Sequence, residues 1–384
     1  MLDAALEQLI IQIHASSHKL VLEFTGAGSL GLAWLHAVAG SSRTVLEATD
    51  RYAAASLAEL LGGQPEQAVA RETAIAMATQ AYRRAMRLTD GAAGSLGVGC
   101  TAAIATDRAR RGADRCWIAV RDRDGVQAYG LEMHKGARDR LGEETLVSRL
   151  LLRAIARACG VDDPAPLELG AGEQVETSTI ADADPLLRLL EGAARTLTVT
   201  PDGRRAADAP VRGVLLSGSF NPLHIGHEQL AYAAGTALGL PWSFELPIVN
   251  ADKPPLGYAE IEHRLDQFRG LYRVVLSREP LFVGKAALFP GCVFAIGYDT
   301  AQRLIDPRYY GGEAGRDAAL ESIRDHGCRF LVAGRVVGGV FHTLDDIAIP
   351  AGLRDLFIAL PESTFRADLS SSQIRAWRAA GQAG

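Results

Sequence analysis

The sequence predicts an α/β protein of two domains, the second a Rossmann-like, doubly wound parallel sheet, and three observations carry that expectation. The chain has 384 residues, more than the roughly 250 that one hydrophobic core usually organises. Its 48% hydrophobic and 22% charged content is ordinary globular usage. Short apolar runs alternate with helical patterns along most of its length, the rhythm of sheets covered by helices.

In order, Leu2 to Ile13 has helical apolar spacing and Leu20 to Phe24 is an apolar run of strand length. Gly26, Gly28 and Ser29 form a turn before helical character resumes over Leu30 to Val38. The alanine-rich stretch Val69 to Leu88 predicts a long helix. Cys116 to Val120 and Val126 to Met133 form a hairpin about Asp124-Gly125, and Leu146 to Ala158 is a closing helix. These define a first domain over 1–160. Residues 161–210, with Pro166, the turn Pro201-Asp202-Gly203 and one helical piece at Leu187 to Thr196, are expected to connect. The second domain, 211–384, opens with the strand Val214 to Leu216 and the helix Glu228 to Leu238. Further strands are expected at Ser243 to Leu246, Val293 to Ile296, Phe330 to Ala333 and Leu356 to Leu360. Ligands collect at the carboxyl ends of strands in such a sheet.

Bulk chemistry narrows the partners. A net charge of -5 leaves no basic excess for a polynucleotide backbone, so no nucleic acid is expected. Five cysteines are dispersed without a C-x-x-C pair, which reads as reduced core thiols and gives no metal site. Asp3 and Glu7 interrupt the first apolar segment, unlike a secretory signal, and no apolar run is long enough for a bilayer. The expected setting is cytoplasmic, with no membrane partner; whether the chain forms a homo-oligomer is left open.

The densest chemistry lies at Gly218-Ser219-Phe220-Asn221-Pro222-Leu223-His224-Ile225-Gly226-His227, after a strand and opening a helix. Gly218 lets backbone approach a phosphate without a side chain between them. Pro222 fixes the chain direction. His224 and His227, three apart at a helix start, can face one side, and Gly226 leaves space between them. The helix N-terminus favours anions. Lone histidines here would more often cap or fill a core; a pair in a glycine-flanked turn points to phosphate binding.

This turn resembles the nucleotidyltransferase superfamily, and within it the nicotinamide and nicotinate mononucleotide adenylyltransferases, whose signature Gly-x-Phe-x-Pro-x-His-x-x-His is met at each fixed position. A second family signature, Ser-Ser-Thr-x-Ile-Arg, is matched by Ser370-Ser371-Ser372-Gln373-Ile374-Arg375, with serine for threonine. The resemblance implies that Arg375 neutralises the β and γ phosphates of ATP. It gives Gly218, Ser219, Phe220, Asn221, Gly226, Ser370, Ser371 and Ser372 to ATP binding. Asp299, in Gly297-Tyr298-Asp299, and Arg335, after Gly334, match family positions at strand ends. Lys253 and Arg264 match a loop that grips the acceptor. Either could instead be a solvated surface charge. The implied substrates are ATP, carried with Mg²⁺, and a small mononucleotide.

The first domain resembles the C-terminal domain of the competence-damage-inducible (CinA) family, which hydrolyses the amide of nicotinamide mononucleotide. Gly40-Ser41-Ser42, Tyr52, Ala68-Val69 and Gly136-x-Arg138 follow that family's order over Lys19 to Cys159. The catalytic pattern departs. Thr25 stands where the family has serine, and Leu57 where it has lysine. Gly99-Cys100-Thr101-Ala102-Ala103-Ile104 replaces a Thr-Gly-x-Ala-Gly-Pro loop. Thr25, Ser42, Tyr52 and Arg138 are therefore expected to mark a degenerate amidase site.

Two alternatives stay open: transfer to another phosphorylated acceptor such as phosphopantetheine, including cytidylyl transfer, and a regulator that binds nucleotides without catalysis. Cytidylyl enzymes usually carry Gly-x-Phe-Asp, so Asn221-Pro222 favours adenylyl transfer. On the leading reading, His227→Ala lowers turnover about 10²–10³-fold, the usual loss of a transition-state donor, with the fold retained. Steady-state kinetics with circular dichroism checks this, and full activity in the variant removes the role.

Overall fold

The computed structural model describes residues 2–107, 112–163, 165–249 and 254–366, and the chain divides into two compact units, Met1–Leu187 and Arg188–Gly384. The first runs α1 (Ala4–Ala15), β1 (Lys19–Thr25), α2 (Ser29–Ala37), α3 (Ser41–Thr44), β2 (Val45–Asp50), α4 (Ala54–Leu61), α5 (Arg71–Leu88), β3 (Ser95–Ala103), β4 (Asp114–Arg121), β5 (Gly125–Met133), α6 (Arg140–Ala158) and β6 (Val175–Ala181). α7 (Pro185–Leu190) spans the division. The second unit continues with β7 (Thr196–Val199), β8 (Arg205–Ala207), β9 (Val214–Ser217), α8 (Ile225–Leu238), β10 (Trp242–Pro247), α9 (Tyr258–Asp266), β11 (Val274–Ser277), α10 (Phe282–Leu288), β12 (Val293–Gly297), α11 (Tyr298–Ile305), α12 (Glu313–Asp325), β13 (Arg329–Ala333), β14 (Arg335–Val337), β15 (Val340–His342) and β16 (Phe357–Leu360).

The first sheet has the order β2-β1-β3-β4-β5-β6. Its first three strands are parallel and the rest antiparallel. α5 lies very close to it for a reason written in the sequence. A Cβ on Gly97 would come 2.1 Å from the Tyr82 nitrogen, and one on Gly99 would come 2.4 Å from the Ala74 carbonyl. Bare glycines on β3 thus meet the alanine face of α5, where Ala74, Ala78, Ala81 and Ala85 are fully buried. A separate apolar cluster includes residues of α1, α6, β1, β3 and β4.

The second sheet has the order β16-β13-β12-β9-β10-β11-β7-β8. The first six are parallel, and β7 and β8 extend one edge antiparallel. From β9 the chain builds outward through β10 and β11, then returns to the other side of β9 for β12, β13 and β16. The switch point therefore falls at the carboxyl end of β9, where crevices for ligands arise in such sheets. The turn 218–227 occupies that end.

The stretch expected to connect the domains is more structured than its composition indicates. β6 pairs with β5 in the first sheet, and β7 pairs with β11 in the second. The helix expected over Leu187 to Thr196 is instead α7, ending at Leu190, with Thr196 already opening β7.

Deep in the second unit, Glu245 on β10 accepts from Ser277 Oγ at 2.6 Å and from Lys285 Nζ at 2.7 Å. The two charged side chains are 0% and 3% exposed. Breaking such a pair strands one charge and costs about 3–5 kcal/mol, whereas replacing both ends with apolar groups is close to neutral. Lys285→Met should destabilise the second unit by about that amount. Lys285→Met combined with Glu245→Leu should recover most of it, read from urea unfolding curves.

Candidate functional site

β9 ends on Ser217, and the chain turns through Gly218 into α8. The turn is folded around the ring of Phe220, 1% exposed, which meets Phe244 and Phe268 edge-on at 5.1 and 5.5 Å. A Cβ on Gly218 would lie 2.8 Å from that ring, so glycine is required there by the protein's own packing as well as by any ligand. Phe220 itself has φ +43°, a conformation that costs a bulky residue about 1–3 kcal/mol and persists only when its surroundings over-determine it. The peptide Asn221-Pro222 is cis.

His224 is the N-cap residue of α8 and makes no side-chain cap. Its ring stacks on that of His227, centroids 3.6 Å apart and planes 24° apart. His227 in turn rests edge-on against Phe220 at 5.1 Å. The expectation that both rings face one side holds. Desolvation depresses both histidines, and the neighbouring His224 adds to it for His227, which is brought down to about 4. For His224 the Glu228 carboxylate acts in the opposite direction. His227 Nδ1 is shut off from solvent and has no hydrogen-bond partner among the described residues. That leaves Nε2 as the nitrogen for a ligand. At neutral pH the pair is uncharged, and each ring carries one N–H.

Two further predicted positions join this end of the sheet. Gly297-Tyr298-Asp299 leaves β12, which pairs with β9, and Arg335 follows β13, which pairs with β12. Arg335 and Asp299 form an ion pair with each other, both about half exposed. Tyr298 stacks on His342 of β15 at 5.4 Å. Arg264, expected on an acceptor loop, donates to the Ser219 carbonyl at 2.9 Å and to Glu260 at 2.8 Å. Gln267, which belongs to none of the sequence motifs, bonds both Phe220 and Leu223. No motif flags a lone glutamine, so nothing in the sequence pointed to it. Gly226 is buried in the first turn of α8 and Asn221 is exposed. Lys253, Ser370, Ser371, Ser372 and Arg375 lie outside the described residues.

A protein of Gloeobacter violaceus, described as a probable nicotinate-nucleotide adenylyltransferase, is 31% identical to this chain over 191 residues, 44% of this chain and 85% of the relative. The chain belongs to the nicotinate-nucleotide adenylyltransferase family. No family model matches it.

This member of the nicotinate-nucleotide adenylyltransferase family also has a cleft in its first unit, of about 350 Å³, bordered by Phe24, Ser29, Asp50, Tyr52, Arg140 and Glu144. Thr25 ends β1 beside it, and the Tyr52 ring is 69% exposed. The other two expected amidase positions are not among the residues that border it. Ser42 is exposed on α3. Arg138 makes two bonds of 2.8 Å to Glu173 and one of 2.7 Å to the Glu168 carbonyl. That guanidinium, with backbone N–H groups of His134 and Gly170, holds the Glu173 carboxyl at about 2. Leu57 is 4% exposed. The start of α2 is filled from within: Glu144 Oε1 accepts from the backbone of Gly28 and Leu30 and from the hydroxyls of Ser29 and Ser148, all at 3.0–3.1 Å. Burial raises the neighbouring Asp50 carboxyl, and the Glu144 charge raises it further.

Solved structures give distant likenesses. The competence/damage inducible protein CihA of Agrobacterium tumefaciens is 22% identical, covering 41% of this chain and 98% of its own, with a TM-score of 0.35. A CinA superfamily protein of Escherichia coli is 18% identical, covering 41% and 90%, with a TM-score of 0.34.

Among the described residues no group of histidine, cysteine or carboxylate side chains is arranged to hold a metal, and no helix is long and apolar enough to cross a membrane.

The depressed His227 makes stability depend on pH with a definite sign. Its folded value of about 4 lies below the ordinary 6.5, so between these the unfolded chain binds a proton that the folded chain refuses. The stabilisation is complete above about 6.5 and is lost as pH falls toward 4. The stability difference between wild type and His227→Asn should accordingly change progressively across that window and level off outside it, measured by urea unfolding. A difference independent of pH contradicts the assignment.

Proposed function

We propose that the second unit transfers the adenylyl group of ATP to nicotinate or nicotinamide mononucleotide and releases pyrophosphate. The observation that carries this reading is the stacked pair of neutral imidazoles at the start of α8, at the switch point of a parallel sheet. A phosphate oxygen of the acceptor attacks the α-phosphorus. The new P–O bond forms as the bond to the β-phosphate bridging oxygen breaks, and pyrophosphate leaves with its Mg²⁺. No covalent enzyme intermediate is required, so catalysis rests on positioning and on neutralising charge as it moves.

His224 and His227 donate their N–H groups to phosphate oxygens. A donor aimed at charge that develops in the transition state lowers the barrier more than it tightens the ground state. Polyphosphate beside the rings also favours their protonated form, so a pair that is uncharged at rest can gain a proton when ATP arrives. In the family, the segment matched by Ser370 to Arg375 holds the triphosphate. Asp299 and Arg335 are assigned to ATP, with their mutual ion pair yielding to ribose hydroxyls and phosphate. Lys253 is assigned to the acceptor. Arg264, bonded to Ser219, bears on the turn itself.

The first unit is proposed to lack amidase chemistry. Thr25 has no lysine at position 57 to activate it, and the Glu144 carboxylate already occupies the start of α2, where a substrate anion would otherwise be drawn.

Incubating the full chain with ATP, Mg²⁺ and, separately, nicotinate mononucleotide, nicotinamide mononucleotide or phosphopantetheine tests the reading. A dinucleotide and stoichiometric pyrophosphate are expected with one of the first two, and no ammonia from nicotinamide mononucleotide. A product with phosphopantetheine alone reassigns the acceptor. Binding of ATP with no product from any acceptor supports a regulator instead, and ammonia release overturns the assignment of the first unit.

A further inference from the structure

The turn that carries the histidine pair is held from outside by the C-terminal end of α9 and the two residues that follow it. Arg264 Nη1 donates to the Ser219 carbonyl at 2.9 Å. The Gln267 side-chain amide donates through Nε2 to the Phe220 carbonyl at 3.0 Å and accepts the Leu223 N–H on Oε1 at 2.8 Å. Phe268, next along the chain, closes on the Phe220 ring from the core side at 5.5 Å.

Gln267 is the piece whose chemistry is hardest to replace. A primary amide offers a donor and an acceptor on one rigid plane, and this one uses both on the same turn, three residues apart. Its Nε2 also reaches the Arg264 carbonyl at 3.3 Å, which ties the amide back to its own helix. Phe220 is the residue with the left-handed backbone, so the bond to its carbonyl restrains the strained peptide. Leu223 immediately precedes His224. The two bonds therefore bracket Asn221-Pro222 and fix where α8 begins.

We propose that Gln267 is a positioning residue for the histidine pair: its amide sets the height and tilt at which His224 and His227 meet the nucleotide. The proposal rests on the adenylyl-transfer reading for its consequence in catalysis, and on geometry alone for its consequence in the turn. Because the rings act as charge develops in the transition state, a misplaced turn lowers kcat more than it raises KM. Affinity for the triphosphate is dominated by the guanidinium assigned to it.

The test uses the full chain and Gln267→Met, which keeps the length and removes both bonds. Expected results are a fall in kcat of at least about tenfold, part of the loss usual for a missing transition-state donor, with KM for ATP within about twofold. By NMR, the Leu223 amide should exchange faster, and His227 should titrate above its value of about 4, toward the ordinary one, because its desolvation is relaxed. Unchanged Leu223 exchange and His227 titration overturn the proposal, as does a kcat loss that only tracks the folded fraction. A wild type without adenylyl transfer defeats the functional reading alone, and the exchange and titration measurements still decide the role of Gln267. Should the methionine variant fail to fold, Gln267→Asn, shorter by one methylene, is expected to loosen the turn in the same two measurements.

Discussion

Two imidazole rings stacked 3.6 Å apart would repel if both took a proton, and in the turn of the second unit they rest on the buried ring of Phe220, where desolvation depresses both. Two like charges at that distance repel by roughly 4 kcal/mol even in a partly screened protein surround. Desolvation removes the problem before the Coulomb energy arises: His227 sits against a ring that is itself buried by two others. The bare Gly218, the left-handed Phe220 and the amide of Gln267 are consequences of packing that ring into the switch point.

The two units use the same device in opposite ways. A helix start gathers N–H groups whose combined field favours an anion. In the first unit that demand is met internally, by one oxygen of Glu144 that gathers four donors. In the second, the N-cap residue of α8 is a histidine that makes no side-chain cap, and the first turn holds a second one. The first arrangement is closed by a carboxylate, whereas in the second the neighbouring Leu223 N–H is taken by the Gln267 amide.

What could be read from sequence follows from how local its cause is. The strands of the second sheet that flank the switch point are short apolar runs, and four of those expected lie where β10, β12, β13 and β16 are found. The turn was legible because its residues serve each other over ten positions. β6, with the sequence Val175-Glu-Thr-Ser-Thr-Ile-Ala181 and an exposed burial pattern, carries little apolar signal, since an edge strand with a polar face needs none. β7 is fully buried, but its Thr-Leu-Thr-Val sequence alternates hydroxyl with apolar side chains and makes no continuous apolar run. Apart from their local bonds, the roles of Gln267, Glu144 and Glu245 depend on partners 32 or more residues away. No spacing rule reaches that far. Gly218 shows the converse: the residue was legible, but the reason first given for it, closeness to phosphate, is joined by a contact with Phe220 that only the fold reveals.

The most direct measurement is a crystal structure of the chain with Mg²⁺ and an ATP analogue that cannot be cleaved between the α and β phosphates. Both imidazoles are expected within about 3 Å of phosphate oxygens, with the stacked rings still resting on Phe220. A nucleotide bound at any other place, with no phosphate oxygen near either ring, contradicts this expectation.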